Sequence, residues 1–413
     1  MNRHDPAYIS LFSGAGGLDL GLEMAGWRTA YASDNDPFAV NTLKANAGLL
    51  IGKGRRAFDG TFIEQADVTQ LTADAIFQKS GLSRGSVQLL AGGPPCQSWS
   101  SAGHQMGFKD PRGRLFDDFV RIANGLDTRW LVLENVRGLL TARGPDGQPG
   151  SALSHIRQSL LNAGFQTTVA LLNAADFGAP QRRVRLFMVG FRTGDTPIFP
   201  EPTHAKQPVN GLLPWVSLGR ALDTVGELSP EEVIFPTGKL ALDLVSVPAG
   251  SGVKSMGKAE RTRPGGHWGY KQGAFVADLA QSGRTVTASA QQDWVRDPLR
   301  GLRRLCPREC AAIQTFPHDW TFDGNNQAKY RQIGNAVPPA LAKAIGGSLL
   351  SQLSYEETIA DTAVSDLLPL SPKLMYHVNY TAREEKSNGL SRKQAPIRRK
   401  SGLIGSTVSD SAA

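Results

Sequence analysis

The chain has 413 residues, of which 45 are Lys or Arg and 37 are Asp or Glu, for a net charge of +8. That length predicts two or three domains, and 40% apolar against 20% charged residues excludes a wholly disordered chain. The basic balance favours a polyanionic partner. Three cysteines (Cys96, Cys306, Cys310) exclude a disulfide framework, and no apolar run is long enough to span a bilayer. With no secretory h-region at the start, a soluble protein of a reducing cytoplasm is expected.

From Tyr8 to Phe191, short strand-like segments alternate with helical ones. The strand candidates are YISLF (8–12), RTAYAS (28–33), SVQLLAG (86–92), WLVLENV (130–136), QTTVALLN (166–173) and VRLFMVGF (184–191). The clearest helix runs from Leu115 to Leu126, with Leu115, Phe116, Phe119, Ile122 and Ala123 on one stripe. Such alternation predicts an α/β fold, a largely parallel sheet with helices on both faces. From Asp195 to about Gly283 the chain is rich in Pro and Gly and weakly periodic, as in a second, smaller domain. Helical patterns return in CPRECAAIQTF (306–316), where Cys306 and Cys310 suit buried positions, and in PPALAKAIGGSLLSQL (338–353). Beyond Asp361 the composition is polar. Residues 371–413 carry eight Lys or Arg against three acids and read as a mobile basic tail.

Several strand ends carry residues fit for chemistry. In LFSGAGGLDL (11–20), Gly14, Gly16 and Gly17 let backbone N–H groups approach a ligand at a helix N-terminus. Asp19 stands where a dinucleotide fingerprint requires glycine. Asp34 ends the second strand, where a carboxylate can take ribose hydroxyls, and Asp67 follows a third apolar piece. Each alone also fits a turn or capping aspartate; in this order they suggest an adenosine-containing ligand. In AGGPPCQSWS (91–100), two prolines hold Cys96 at the sheet's carboxyl edge, a nucleophile candidate. Glu134 and Asn135 end the next apolar strand, where a carboxyl with a raised pKa can donate a proton. In APQRRVR (179–185), alternation places Arg183 and Arg185 on one face. Two guanidinium groups there can favour a thiolate and hold a carbonyl oxygen.

LFSGAGG, the Asp34 and Asp67 positions, GGPPCQSWS, GRLFDDFVR, ENV, FGAPQRRVR and QIGNAVPP occur in this order over most of residues 8–353. The chain thereby closely resembles the DNA (cytosine-5) methyltransferases of bacterial restriction–modification systems. The resemblance implies a Rossmann-like, doubly wound S-adenosylmethionine-dependent sheet with a smaller target-recognition domain. It implies a catalytic domain over 1–194, a recognition domain over 195–300, a completing segment over 301–360 and a basic, disordered tail over 361–413. The substrate would be double-stranded DNA, its target cytosine rotated out of the duplex. The enzyme would act as a cytoplasmic monomer, need no metal or membrane, and pair functionally with a restriction endonuclease.

By resemblance, Cys96 adds to cytosine C6, Glu134 holds N3 and the amino group, Arg185 holds O2, and Arg183 is its companion. Phe12, Gly14, Gly16 and Leu18 would hold the methionine end of the methyl donor. Asp34 would take its ribose and Asp67 its adenine, with Asn335 nearby. Many relatives carry Glu, then a bulky residue, where this chain has Asp34 and Asn35. Ser100, Arg112, Arg261, Arg263 and Lys271 are the expected DNA contacts, the last three in a glycine-rich basic stretch (253–273) that suits either groove reading or phosphate contact. Related tRNA methyltransferases carry a Cys-Phe-Thr tripeptide in the second domain, and the 195–283 region has no cysteine. A non-catalytic DNA-binding regulator would have lost Cys96 or Glu134, and both are present.

Overall fold

A computed structural model describes residues 5–95, 115–192, 196–254, 273–353 and 366–393, with side chains up to 383. Seven strands form the main sheet: β1 (Ala7–Leu11), β2 (Arg28–Asp34), β3 (Phe62–Gln65), β4 (Leu89–Gly92), β5 (Trp130–Val136), β6 (Gln166–Asn173) and β7 (Val184–Phe191). Their spatial order is β3-β2-β1-β4-β5-β7-β6. All pairings are parallel except those of β7, which runs antiparallel to both β5 and β6. The ends of β1, β2, β4 and β5 therefore share one carboxyl edge, where ligands of open α/β sheets bind.

The sheet is buried on both faces, so its strands read as continuous apolar runs. Alternate residues enter two cores. Ile9, Leu11, Leu131 and Leu133 pack with Phe119 and Ile122 of α4 (Leu115–Leu126) and with Leu153 and Ile156 of α5 (Ser151–Asn162). Tyr8, Leu89, Trp130 and Val132 pack on the other face, against Leu18 and Leu22 of α1 (Gly17–Ala25) and Leu341 and Ile345 of α10 (Pro339–Ser351). Between these helices in the chain come α2 (Pro37–Asn46), α3 (Ala73–Ser80), α6 (Leu218–Leu222), α7 (Gly238–Val245), α8 (Pro307–Ile313) and α9 (Asn326–Asn335).

A second sheet joins β8 (Ser251–Gly252), β9 (Phe275–Val276), β10 (Trp294–Asp297) and β11 (Gly301–Arg304). β10 and β11 form a hairpin, with Trp294 opposite Arg304. The expected boundary between residues 300 and 301 falls within this hairpin. The buried Arg303 fixes the hairpin to α8. Its Nε donates to Asp297 Oδ2 at 2.7 Å, and its two Nη atoms donate to the Glu309 carboxylate at 2.7 and 2.8 Å.

The expectation of a disordered tail is corrected over residues 366–393. Gln166 Nε2 donates to Asp366 O and Arg157 Nη2 to Leu368 O, both at 2.5 Å. The chain then forms α11 (Pro372–Lys393), whose Leu374 is buried in the core with Leu139 and Leu140. Composition hid this because the apolar anchors among the described residues are few: Leu368, Leu370, Leu374 and Val378.

Candidate active site

The first site element is the turn from β1 into α1. Phe12, half-buried, has φ 56°, and Gly14 and Gly16 have φ 54° and 80°. Gly16 is the N-cap of α1, and its left-handed backbone makes glycine the fitting residue. A Cβ on Gly14 would meet nothing within 4 Å, so the loop has open space beside it. Asp34 closes the turn from the next strand: its Oδ2 accepts from Gly14 N and its Oδ1 from Asp36 N, both at 2.8 Å. Burial raises its pKa, and these two N–H groups pull it back. Asp67 lies two residues past the neighbouring β3, exposed, with Oδ1 accepting from Thr69 N and Oγ1 at 2.9 Å. Leu18 is buried in α1. Asn335, exposed, ends α9 just before Ala336 and Val337, and a Cβ on Gly17 would fall 2.3 Å from Val337 O. The far end of the chain thus sits against the glycine turn.

Beneath that turn lies a buried polar chain that sequence reasoning missed. Thr29 Oγ1 is 2.7 Å from both Tyr8 Oη and Glu23 Oε1, and Tyr8 Oη is 3.1 Å from Asp19 Oδ1. Three O···O contacts need three protons, and the two hydroxyls supply two. The third must come from Asp19 or Glu23, so the folded chain retains one carboxyl proton. Burial accordingly pushes Asp19 up to about 6 and Glu23 up to about 7.

The second element joins the ends of β4, β5 and β7. Glu134 faces Phe187 and Val136 faces Arg185 across the antiparallel pair, so Glu134 and Arg185 share a face as diagonal neighbours. Arg185 Nε donates to Glu134 Oε1 at 3.0 Å, and both side chains are mostly buried. A Cβ on Gly93 would be 3.3 Å from Glu134 Oε2, which places the carboxylate over the end of β4. A narrow cavity of about 20 Å³ there is walled by Phe116, Leu133, Leu139 and Leu186 and by Pro94 and Pro95. Burial raises the Glu134 pKa, opposed by the Arg185 and Arg183 cations. Asn135 Nδ2 donates to Pro94 O at 3.1 Å and so holds the turn that leads to Cys96. Cys96, Ser100, Arg112, Arg261, Arg263 and Lys271 lie outside the described residues.

Arg183 takes a different place from Arg185. Its guanidinium is fully buried and donates to Val286 O at 2.9 Å, Gly334 O at 2.7 Å and Ala336 O at 2.9 Å. Gln181 continues the same junction: it donates to Ile313 O and to Gln314 Oε1, and its Oε1 accepts from Val286 N. Gln314 in turn donates to Ile333 O and Ala336 O. Gln314 was legible only as a polar residue inside an apolar stretch, and Gln181 only as the residue before the arginines. Where this junction closes, a Cβ on Gly334 would meet Thr287 C and O at 2.2 Å. Cys306 and Cys310 are buried in and beside α8, and burial pushes the Cys306 thiol up to about 12. A cavity of about 440 Å³ at the α8–α9 corner, walled by Phe316, Trp320 and Phe322, includes none of the expected site residues.

A sheet of this order, with a glycine turn and paired carboxylates on its first strands and a Glu–Arg pair on its later ones, suits transfer of a small group to a planar base. Residues 7–351 match the model of the C-5 cytosine-specific DNA methylases, and the chain belongs to that family. It is 32% identical over 366 residues to the type II methyltransferase M.NgoFVII of Neisseria gonorrhoeae, covering 86% of this chain and 90% of that one. It is 30% identical over 396 residues to M.SacI of Streptomyces achromogenes, covering 88% and 97%. Among solved structures, Spodoptera frugiperda DNMT2 aligns at a TM-score of 0.57 and 18% identity, covering 84% of this chain and 98% of that one. The Entamoeba histolytica methyltransferase EhMeth aligns at 0.55 and 15%, covering 85% and 100%. These structures bear on the fold alone. The chain is a DNA (cytosine-5) methyltransferase of the restriction–modification type, and its family uses S-adenosylmethionine as methyl donor. Among the described residues, no helix is long and apolar enough to cross a membrane.

Proposed function

We propose that the Glu134–Arg185 pair clamps the target cytosine beside Cys96, and that the glycine turn holds the methyl donor. The observation that carries this reading is the ion pair at 3.0 Å, set over Gly93 at the start of the Pro94–Pro95 turn. Burial raises the Glu134 pKa and so favours a protonated carboxyl that donates to cytosine N3, while its other oxygen accepts from the amino group. Arg185, already aimed at that carboxylate, can swing a guanidinium N–H onto O2. The Cys96 thiolate then adds to C6, and the electron pair displaced onto C5 makes that carbon the nucleophile. S-adenosylmethionine, when bound, supplies the electrophilic methyl group. Loss of the C5 proton to a base expels the thiolate, the N3 proton returns to Glu134, and the ring is restored.

Asp34 fits a ribose: both its oxygens lie at the carboxyl edge beside the open space at Gly14, and each keeps a lone pair beyond its backbone donor. Asp67 and Asn335 would complete the site with Phe12, Gly16 and Leu18. Ser100, Arg112, Arg261, Arg263 and Lys271 would contact DNA. The enzyme would act as a monomer without metal, in the bacterial cytoplasm, protecting host DNA from a cognate endonuclease. The test is a duplex carrying 5-fluorocytosine at the target, the position being found by bisulfite sequencing of DNA from expressing cells. Wild-type protein should be trapped covalently through Cys96, and Cys96→Ala should bind the duplex without trapping. Trapping by the Ala variant would sink the assignment.

A further inference from the structure

The family match ends at residue 351, yet the chain returns to the catalytic domain as α11. This helix packs on the segment that continues directly from the Glu134 strand, the short 3-10 helix Arg137–Thr141. Leu374 enters the core there, Val378 packs against Gly150, and His377 Nδ1 lies 3.5 Å from Arg137 Nη2. α11 therefore stands at the sheet's carboxyl edge, on the side of the site away from the glycine turn. Its docked face is Leu374, His377, Val378 and Thr381. On the adjoining face are Lys373, Tyr376, Tyr380 and Arg383, spaced three, four and three residues apart and so on one stripe. Lys373, Tyr376 and Arg383 are exposed, and the two tyrosine rings lie 6.2 Å apart. Residues 372–383 contain no acid. Glu384 and Glu385 follow, then Lys386, Arg392 and Lys393, so the helix carries five cations against two anions.

We propose that the Lys373–Tyr376–Tyr380–Arg383 stripe is a second DNA contact, gripping phosphates of the duplex that flanks the target base. Cations with interleaved tyrosine hydroxyls suit phosphate oxygens, and such contacts hold the duplex without reading sequence. A duplex whose cytosine reaches Glu134 must lie across this edge, and the stripe complements it in charge with two cations and no acid of its own, Asp176 being the acid that faces Lys373. The proposal rests on the placement of the target base at Glu134, and the experiment separates the two.

Full-length wild-type protein and the Lys373→Ala/Arg383→Ala double variant are titrated against a fluorescent 30-base-pair duplex of arbitrary sequence at several salt concentrations. Each lost phosphate contact reduces the log–log salt slope by about 0.9, so the double variant should be shallower by about 1.8. Its thermal midpoint should match wild type, because both side chains are exposed. Lys373→Gln alone should give half the change and serves if the double variant fails to fold. An unchanged slope overturns the proposal and leaves the stripe a solvated or protein-facing surface. Glu134→Gln should keep the wild-type slope while losing methyl transfer. If Glu134→Gln still methylates while the α11 variants are shallower, the clamp reading fails and the α11 contact stands.

Discussion

Arg183 and Arg185 are two residues apart, yet their surroundings predict opposite failures. Replacing Arg183 with Met removes the donor from three buried carbonyls. Ala336 O keeps Gln314 Nε2 as a partner, so Val286 O and Gly334 O are the two left without this donor. At about 1–3 kcal/mol for each buried group left unsatisfied, the loss is roughly 2–6 kcal/mol. With a midpoint shift of ~2–4 °C per kcal/mol, unfolding should move down by at least about 4 °C. Replacing Arg185 with Met removes one ion pair from Glu134, which responds by taking up a proton instead of remaining a bare buried charge. Stability should then change little, while methyl transfer falls by at least ~100-fold, the scale of one lost charge-stabilising donor. Scanning calorimetry and single-turnover methyl transfer separate the two. An Arg183→Met protein that melts at the wild-type temperature would refute the reasoning, as would equal melting losses in both variants.

The Gly334→Ala variant should push the Thr287–Ala288 backbone off α9 and open residues 284–293 to protease; wild-type resistance there would count against the close contact. The retained proton beneath the glycine turn makes stability depend on pH. Asp19 and Glu23 are raised in the fold, to about 6 and about 7, so their contribution is complete below about pH 4 and lost as pH rises through 6 to 7. For one proton over about two pH units, this is on the order of 3 kcal/mol. Urea midpoints at pH 5 and 8 should show the decline, and Glu23→Gln should flatten it; an equal decline in that variant would place the proton elsewhere. Leu374→Ala should cost about 2–5 kcal/mol as a core truncation, whereas a dispensable tail would lose nothing measurable by denaturant unfolding.

The parts legible in the sequence are those where local pattern and tertiary environment agree. β5, β6, β7 and α4 fall on their expected residues because a doubly covered sheet writes continuous apolar runs, and α4 a single stripe. Glu134 was legible because it ends such a run. Arg183 was legible as the neighbour of Arg185 but not as an anchor: its guanidinium donates to carbonyls 100 and more residues away, a relation that local alternation does not encode. The strands of the smaller sheet are two to four residues long, too short to show a period. The Asp19–Tyr8–Thr29–Glu23 chain joins a strand, a helix and a second strand, a relation that no spacing encodes.

The seam between α1 and α10 gives this enzyme an unusual freedom of connection. Gly21 of α1 lies so close to α10 that a Cβ would strike Ala342 and Pro339 O, and a Cβ on Gly346 of α10 would press on Leu22 and Ala25. Trp27 Nε1 donates to Gly346 O across 319 residues at 2.8 Å. The first and last helices of the family domain are thus one unit of packing, however the chain travels between them. A break in the exposed 207–211 turn would leave a fragment with the whole main sheet but a bare Leu18–Leu22–Trp130 face, and a second fragment bearing the helix that covers it. Neither piece is suited to stand alone in water, and each is shaped to find the other. The architecture is thereby compatible with an enzyme encoded as two polypeptides or with its genes permuted, the seam replacing the peptide bond as the link.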